Sequence, residues 1–144
     1  NKGLPHESEG RDAELYAYHF LDAEDLIVQV WKVFDYIHDC ELDIEASFIE
    51  NTLGVTDLNK DESPEIWIMY KKVCHGDVSP SEMKIIMYEN AKKYAMRGEN
   101  KIQYGDDDAI GGEYILDKSF EKGPSVFRAF AIELWNKNIL QKWD

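Results

Sequence analysis

The apolar segment that ends at Cys40 constrains the fold more than any other part of the sequence. After Asp22 the chain reads AEDLIVQVWKVFDYIHDC. Large apolar side chains recur there at intervals of three and four residues, at Leu26, Ile27, Val30, Trp31, Phe34 and Ile37. This spacing places them on one face of an α-helix, and aspartate is a favoured N-cap residue. The segment therefore predicts a long, buried helix.

Helix signals recur along the rest of the chain. Each further helix is predicted from a capping residue, a proline or the start of an apolar pattern, and most of these segments end at a glycine. The predicted helices begin at Glu14, Asp43, Pro64, Pro80 and Ser125. Residues 14–20 also alternate as a short strand would, but we interpret them as helical.

The segment KIQYGDDDAIGGEYILD predicts a different structure. It contains two short strand patterns, Ile102–Tyr104 and Tyr114–Leu116, joined by a glycine-rich acidic loop. The sequence as a whole therefore predicts a mainly α fold. We expect a flexible N-terminal tail at residues 1–11, followed by a single compact domain at 12–144 with about five or six helices and one small β-hairpin near 102–116.

Charge is distributed very unevenly along the chain. The formal net charge is −13, and residues 1–62 hold 16 acidic against 4 basic side chains, a net charge of −12. Such a surface repels nucleic acid and anionic membranes and attracts a basic protein at long range. The sequence therefore argues against direct binding to nucleic acid or membranes, and it favours a basic protein partner.

The acidic residues from Asp22 onward form the predicted partner-binding face. If the chain is helical there, Asp35, Asp39 and Asp43 lie about 6 Å apart along the axis, a spacing that suits rows of lysine and arginine. Trp31 is expected in the core, and Tyr36 is expected at the surface as an anchor. The predicted partner-binding residues are Asp22, Asp25, Asp35, Tyr36, Asp39, Glu41, Asp43 and Glu45. The alternative is a solvated acidic face without a partner.

We therefore expect a non-enzymatic acidic binding protein or inhibitor that occludes a basic site on another protein. The site is expected to be one that handles nucleic acid, and the expected mode is nucleic-acid mimicry. Immunity proteins, antitoxins and phage-encoded inhibitors of defence nucleases are the kinds of protein that this charge suits. The sequence contains no phosphate-binding glycine loop, nucleophile elbow or zinc-protease motif. One alternative is a structural subunit or adaptor whose apolar surface matters more than its charge.

A second alternative is a protein that binds or depends on a divalent metal, calcium or magnesium, through the loop at residues 104–113. Calcium loops place oxygen ligands at positions 1, 3, 5, 7, 9 and 12, with glycine at position 6. Counting from Asp106, position 3 is Asp108 and position 6 is glycine, but position 5 is Ile110. The candidate ligands are Asp106, Asp108 and Glu113.

A second partial match to the calcium template begins at Asp57. Asp57, Asn59 and Asp61 supply the first three ligands, but Glu62 stands at the glycine position and Ile68 at the last ligand position. The sequence alone gives this loop less support than the first.

Cys40 and Cys74 are the only two cysteines. Small secreted scaffolds carry more, so we expect a reducing cytoplasm, with one disulfide between them left open. His38 and His75 stand close to these cysteines in sequence and would complete a zinc ligand set or a Cys–His pair, although the spacing suits neither. No apolar run approaches the roughly 18 residues of a membrane span, and no signal peptide is visible.

Overall fold

The computed structural model describes residues 10–143 and shows a predominantly β protein. Within those residues the chain forms eleven strands and two helices. The strands are β1 (Arg11–Ala23), β2 (Leu26–Cys40), β3 (Asp43–Phe48), β4 (Gly54–Thr56), β5 (Glu65–His75), β6 (Glu82–Glu89), β7 (Lys92–Glu99), β8 (Lys101–Tyr104), β9 (Asp108–Gly111), β10 (Tyr114–Leu116) and β11 (Leu140–Trp143). The helices are α1 (Lys118–Lys122) and α2 (Ser125–Asn138). The prediction of a mainly α fold is therefore wrong.

The chain forms two compact units. Among the described residues, the first comprises 10–47 and 72–76, and the second comprises 48–71 and 77–143, so that β5 belongs partly to each. Residues 1–9, which make up most of the predicted tail at 1–11, lie outside the described residues, and the predicted tail stays a prediction.

The first unit is dominated by a long antiparallel hairpin of β1 and β2. The pairing runs from Ala23 opposite Leu26, beside the turn, to Arg11 opposite Cys40. A disulfide joins Cys40 to Cys74 near the end of β5, with Cα atoms 5.9 Å apart. The disulfide therefore holds the open end of the hairpin to the chain segment at residues 72–76.

The second unit contains a sheet in which β10, β7, β6 and β5 lie in that order, with β4 also paired to β5. A separate sheet has the order β11, β8, β9, and β11 runs parallel to β8. The core residues of this unit come from both helices and the first of these sheets. They include Trp67, Met69, Ile85, Met87, Met96, Phe120, Phe127 and Trp135, all fully buried.

The segment of residues 26–40 is a strand because its side chains alternate between two environments. Trp31 and Val33 are buried, whereas Lys32 and Phe34 are exposed. The apolar residues that fit a helical spacing therefore fall on both faces of β2. Valine, isoleucine, tyrosine and tryptophan all favour strands, and this segment is rich in them. The predicted helix from Asp22 is absent for that reason.

The predicted helix from Pro80 is a hairpin of β6 and β7. Met83, Ile85, Ile86 and Met87 are all buried because the strand is covered on both faces. A strand of this kind shows no alternation, so its apolar run also fits a helix. The other segments predicted to be helical, which begin at Glu14, Asp43 and Pro64, likewise form β1, β3 and β5.

Three sequence predictions are confirmed. The C-terminal helix begins at Ser125 as expected, and strands lie at Lys101–Tyr104 and Tyr114–Leu116. The two strands do not pair with each other, however: β8 pairs with β9, and β10 pairs with β7. The small hairpin is therefore shorter than predicted, and its turn lies at residues 105–107.

Candidate functional site

The β1–β2 hairpin presents one continuous row of aromatic side chains. Because side chains alternate along a strand, the even-numbered residues at 14–18 in β1 and 32–36 in β2 share a face; the register shifts between His19 and Phe20. Tyr16 lies opposite Phe34, and Tyr18 lies opposite Lys32. Phe20 and Tyr36 extend the row at its two ends. We call these six residues, Tyr16, Tyr18, Phe20, Lys32, Phe34 and Tyr36, the aromatic face.

The rings of the aromatic face contact one another along and across the strands. The ring centroids of Tyr16 and Phe34 are 4.9 Å apart, those of Tyr18 and Phe20 are 5.7 Å apart, and those of Phe34 and Tyr36 are 5.6 Å apart. Despite these contacts Phe20 remains 52% exposed and Tyr36 49% exposed. The face therefore offers a large area of rigid aromatic surface.

Lys32 lies at the centre of the aromatic face. Its Nζ is 5.5 Å from the ring centroid of Tyr16 and 5.6 Å from those of Tyr18 and Phe34. A cation within about 6 Å of a ring is attracted by the negative charge of the ring face. The single lysine of the hairpin thus occupies an aromatic setting inside an otherwise acidic region.

Two carboxylates, those of Glu14 and Asp12, border the open end of the aromatic face. Tyr16 donates a hydrogen bond from its hydroxyl to Glu14 at 2.8 Å, and this bond raises the pKa of Tyr16 above its usual value. Asp12 lies 3.1 Å from Nδ1 of His38. Both acids border a surface cavity of about 260 Å³, which is lined by Asp12, Glu14, Phe34, Tyr36, Ile37 and His38. The cavity joins the aromatic face to the acidic open end of the hairpin.

The structure distributes the predicted partner-binding residues over the first unit. Tyr36 belongs to the aromatic face. Asp35 and Asp39 are only partly exposed, and Asp35 forms an ion pair with Lys72 at 2.8 Å on the opposite side of β2 from Tyr36. The remaining predicted residues are exposed: Asp22, Asp25, Glu41, Asp43 and Glu45. Because the helix is absent, Asp35, Asp39 and Asp43 do not form a helical row.

The aromatic face was missed by the sequence analysis as a unit. Tyr36 is predicted as an anchor, but its neighbours in the face are not, because a helix separates residues that a hairpin brings together. The signal was the alternation in YAYHF at residues 16–20, with a second alternating run after Lys32. Trp31 is buried, as expected.

The acidic loop near residue 106 is the turn of the β8–β9 hairpin. Asp106 and Asp108 are exposed there, and Glu113 lies beyond β9, where its carbonyl oxygen accepts a hydrogen bond from Glu99 N–H. Asp117, the last position of that calcium template, caps α1 instead, because its carboxylate accepts hydrogen bonds from Phe120 N–H and Ala95 N–H. A metal site at these residues stays a prediction.

Another group of carboxylates meets at the loop before β5. Among residues 10–143, Asp57, Asp61 and Glu65 are the group of three or more ligand side chains whose oxygen atoms lie within 4.8 Å of one another. The sequence comparison with the calcium template had identified Asp57 and Asp61 but not Glu65.

The cysteines serve neither zinc binding nor nucleophilic catalysis in this structure, because both form the disulfide.

No match to the chain was found among protein-family models, curated proteins or solved structures. In the part of the chain between residues 10 and 143, no helix is long and apolar enough to cross a membrane.

Proposed function

We propose that the chain is a non-enzymatic binding protein whose β1–β2 hairpin occupies a basic site, of the kind that handles nucleic acid, on a protein partner. The observation that carries this proposal is the exposed aromatic face on a hairpin unit that is rich in exposed carboxylates. Immunity proteins, antitoxins and phage-encoded inhibitors of defence nucleases are the kinds of protein with this role.

Charge favours a basic partner. Residues 11–47 contain ten acidic side chains and two basic ones, Arg11 and Lys32. Seven of the ten acids are exposed: Glu14, Asp22, Glu24, Asp25, Glu41, Asp43 and Glu45. A charge density of this sign raises the association rate with a basic surface and repels nucleic acid.

The aromatic face supplies what charge alone does not. Tyrosine and phenylalanine are large and have few rotatable bonds, so they are effective anchors in interfaces. Arginine side chains of a nucleic-acid site can stack on exposed rings while they pair with nearby carboxylates. Rings and acids on one hairpin therefore match the chemistry of a site that normally binds bases and phosphates.

The test compares two variants with the same change of charge. In the first, Asp22, Asp25, Asp43 and Glu45 become their amides. In the control, Asp106, Asp107, Asp108 and Glu113 become their amides; these are also exposed but belong to the second unit. The partner is first captured from the native host at low salt on the wild-type chain, and its Kd is then measured across a range of ionic strength.

We expect the first variant to bind at least about tenfold more weakly and to show a shallower dependence on salt. The control should bind as the wild type does. Phe20→Ala with Tyr36→Ala should weaken binding by about 2 kcal/mol or more without changing the salt dependence. Equal affinity and equal salt dependence in the wild type and the first variant would show that the acidic hairpin does not make the contact.

A structural subunit or adaptor is the second candidate, and the tip of the hairpin is the observation that favours it. Leu21, Leu26 and Ile27 are 53%, 65% and 71% exposed beside the turn. An apolar patch of this kind often marks an interface. Light scattering of the purified chain tests this candidate, because a subunit of a homo-oligomer self-associates through the tip and Ile27→Asp dissolves the assembly.

The cytoplasm is the compartment proposed from the sequence. The Cys40–Cys74 disulfide is an observation against it, because disulfides persist mainly in oxidising compartments. Free thiols are alkylated in freshly lysed native cells, and the mass of the chain then gives the number of alkylated cysteines. Two alkylated cysteines support the cytoplasm, whereas none supports an oxidising compartment.

A further inference from the structure

The loop between β4 and β5 has a backbone organised around one carboxylate. Oδ1 of Asp57 accepts a hydrogen bond from Asp61 N–H at 3.2 Å, and Oδ2 accepts one from Glu62 N–H at 3.1 Å. Ser63 N–H donates to Oδ1 of Asp61 at 2.9 Å, and this bond lowers the pKa of Asp61 below its usual value. The carboxylates of Asp57 and Asp61 are thereby fixed, while both residues remain exposed.

Glu65 is the feature that demands an explanation. It is 0% exposed at the start of β5. Its Oε1 accepts hydrogen bonds from Leu58 N–H at 2.6 Å and from the Thr56 hydroxyl at 3.2 Å, and that hydroxyl in turn accepts one from Trp67 Nε1 at 2.9 Å. Its Oε2 is buried and has no hydrogen-bond partner. An unpaired buried carboxylate oxygen costs free energy unless a proton or a cation meets it.

The Glu65 carboxylate lies beside the loop that joins β4 to β5. One oxygen from each of Asp57, Asp61 and Glu65 lies within 4.8 Å of the other two. Calcium binds oxygen ligands at about 2.3–2.6 Å, so two ligands of one ion are at most about 5 Å apart. The three carboxylates are therefore spaced as ligands of a single cation are, with one ligand in the interior and two at the surface.

Two neighbours add to the negative potential and to the possible ligands. Asn59 Nδ2 donates to Oδ2 of Asp61 and to Oε2 of Glu89, each at 3.1 Å, while Oδ1 of Asn59 is buried without a partner. Burial raises the pKa of Glu89, and the negative charges of Asp61 and Glu65 raise it further. Four carboxylates and an amide oxygen therefore crowd one small region.

The backbone at Glu62 adopts the conformation for which the calcium template uses glycine. The calcium template needs glycine at position 6 because the chain adopts a positive φ there, and Glu62 adopts that conformation with φ of 67°. In the same count Asn59 falls at position 3, Asp61 at position 5 and Glu65 at position 9. Ile68, at position 12, is buried in β5 and supplies no side-chain oxygen, whereas Glu89 reaches the loop from β6 through its hydrogen bond with Asn59.

We propose that Asp57, Asp61 and Glu65 bind one divalent cation, preferentially Ca²⁺. The Thr56 hydroxyl and Leu58 N–H orient Glu65 so that its second oxygen faces the ion, as hydrogen-bonded neighbours commonly do for metal ligands. Bound Ca²⁺ joins the exposed loop to the buried start of β5 and stabilises the folded chain.

The test is a titration of the full chain with CaCl₂, followed by calorimetry and by the melting temperature. We expect one site per chain, with a rise in Tm of about 5–10 °C at a Ca²⁺ concentration about 100 times Kd. Asp57→Asn with Asp61→Asn should abolish the rise. The matched control is Asp106→Asn with Asp108→Asn, which removes the same charge from the other acidic loop and should respond as the wild type does.

Asp61→Asn alone serves if the double variant does not fold, because Asp61 is exposed. Its Kd for Ca²⁺ should be weaker by about tenfold or more. A direct readout is the emission of Tb³⁺ excited through tryptophan, since Trp67 is two hydrogen bonds from Glu65. The proposal is overturned if the wild-type chain shows no saturable response to Ca²⁺. It is also overturned if the variant with Asp106→Asn and Asp108→Asn loses the response while the variant with Asp57→Asn and Asp61→Asn keeps it. MgCl₂ binding more tightly than CaCl₂ overturns the preference for Ca²⁺.

Discussion

Tyr16 and Phe34 stack across the β1–β2 hairpin with ring centroids 4.9 Å apart and an angle of 28° between their planes. They are directly opposite each other in the register of the two strands. Cross-strand aromatic pairs are a main source of sheet stability, and here the pair also holds Lys32 Nζ within 5.6 Å of both centroids. The same residues thus stabilise the hairpin and form its exposed face.

The first prediction concerns Phe34. Phe34→Ala removes its stacking with Tyr16 and its contact with Lys32, so we expect the free energy of unfolding to fall by about 1 kcal/mol. Urea denaturation measures the change. Leu26→Ala is the control on the same hairpin, because Leu26 is 65% exposed and should change stability by less than about 0.5 kcal/mol. Equal effects would mean that the aromatic contacts add nothing.

The second prediction separates a structural acid from surface acids. Asp35 and Lys72 form an ion pair whose side chains are 14% and 16% exposed. Asp35→Asn should therefore destabilise the fold by about 2–3 kcal/mol, whereas Asp43→Asn, at an exposed position, should stay within about 0.5 kcal/mol. Thermal unfolding checks both. If Asp35→Asn is as mild as Asp43→Asn, the ion pair does not contribute to stability.

The third prediction uses two glycines of the second unit. A Cβ at Gly98 would collide with the backbone carbonyl oxygen of Glu113, where β7 meets β10, whereas a Cβ at Gly54 would meet nothing within 4 Å. Gly98→Ala should lower the melting temperature, and the free energy of unfolding should fall by about 2 kcal/mol or more. Gly54→Ala should be neutral or stabilising by up to about 1 kcal/mol. Similar melting temperatures for the two variants would show that β10 can move away from β7 without cost.

The fourth prediction concerns the disulfide. Cys40 and Cys74 are 34 residues apart, so the cross-link should stabilise the fold by about 3–4 kcal/mol through the unfolded chain. Melting with and without a reductant measures this. The variant with both cysteines changed to serine should have the melting temperature of the reduced wild type, and reductant should not change it. An unchanged melting temperature after verified reduction would contradict the prediction.

Local signals in the sequence were sufficient where the structure is local. The C-terminal helix follows Gly123 and Pro124, and its buried residues Phe127, Ala131 and Trp135 share one helical face. The strands at Lys101–Tyr104 and Tyr114–Leu116 were also recognisable. Their partners were not, because strand pairing depends on residues that are distant in sequence.

The remaining errors have a physical cause in the distribution of burial. In β6, Ile85 and Ile86 are both fully buried although they point to opposite faces. Periodicity cannot distinguish such a strand from a buried helix. The turn after Glu89 was the missed signal: Asn90 has φ of 53°, a conformation that asparagine tolerates better than most residues.

The candidate sites were only partly visible in the sequence for the same reason. Asp57 and Asp61 follow a template that can be read in order, whereas Glu89 reaches the loop from β6. The burial of Glu65, which changes the meaning of the loop, depends on the sheet that encloses it. The aromatic face likewise needs two strands in register before its rings meet.

The disulfide also determines how the chain would behave under proteolysis. Lys60 is exposed in the loop between β4 and β5 and lies between Cys40 and Cys74 in sequence. A single tryptic cut after Lys60 therefore leaves two fragments that migrate together until a reductant is added. If Ca²⁺ binds beside Lys60 as proposed, it should also slow that cut. Gels run with and without reductant then report on the cross-link, and the rate of the cut with and without Ca²⁺ reports on the loop.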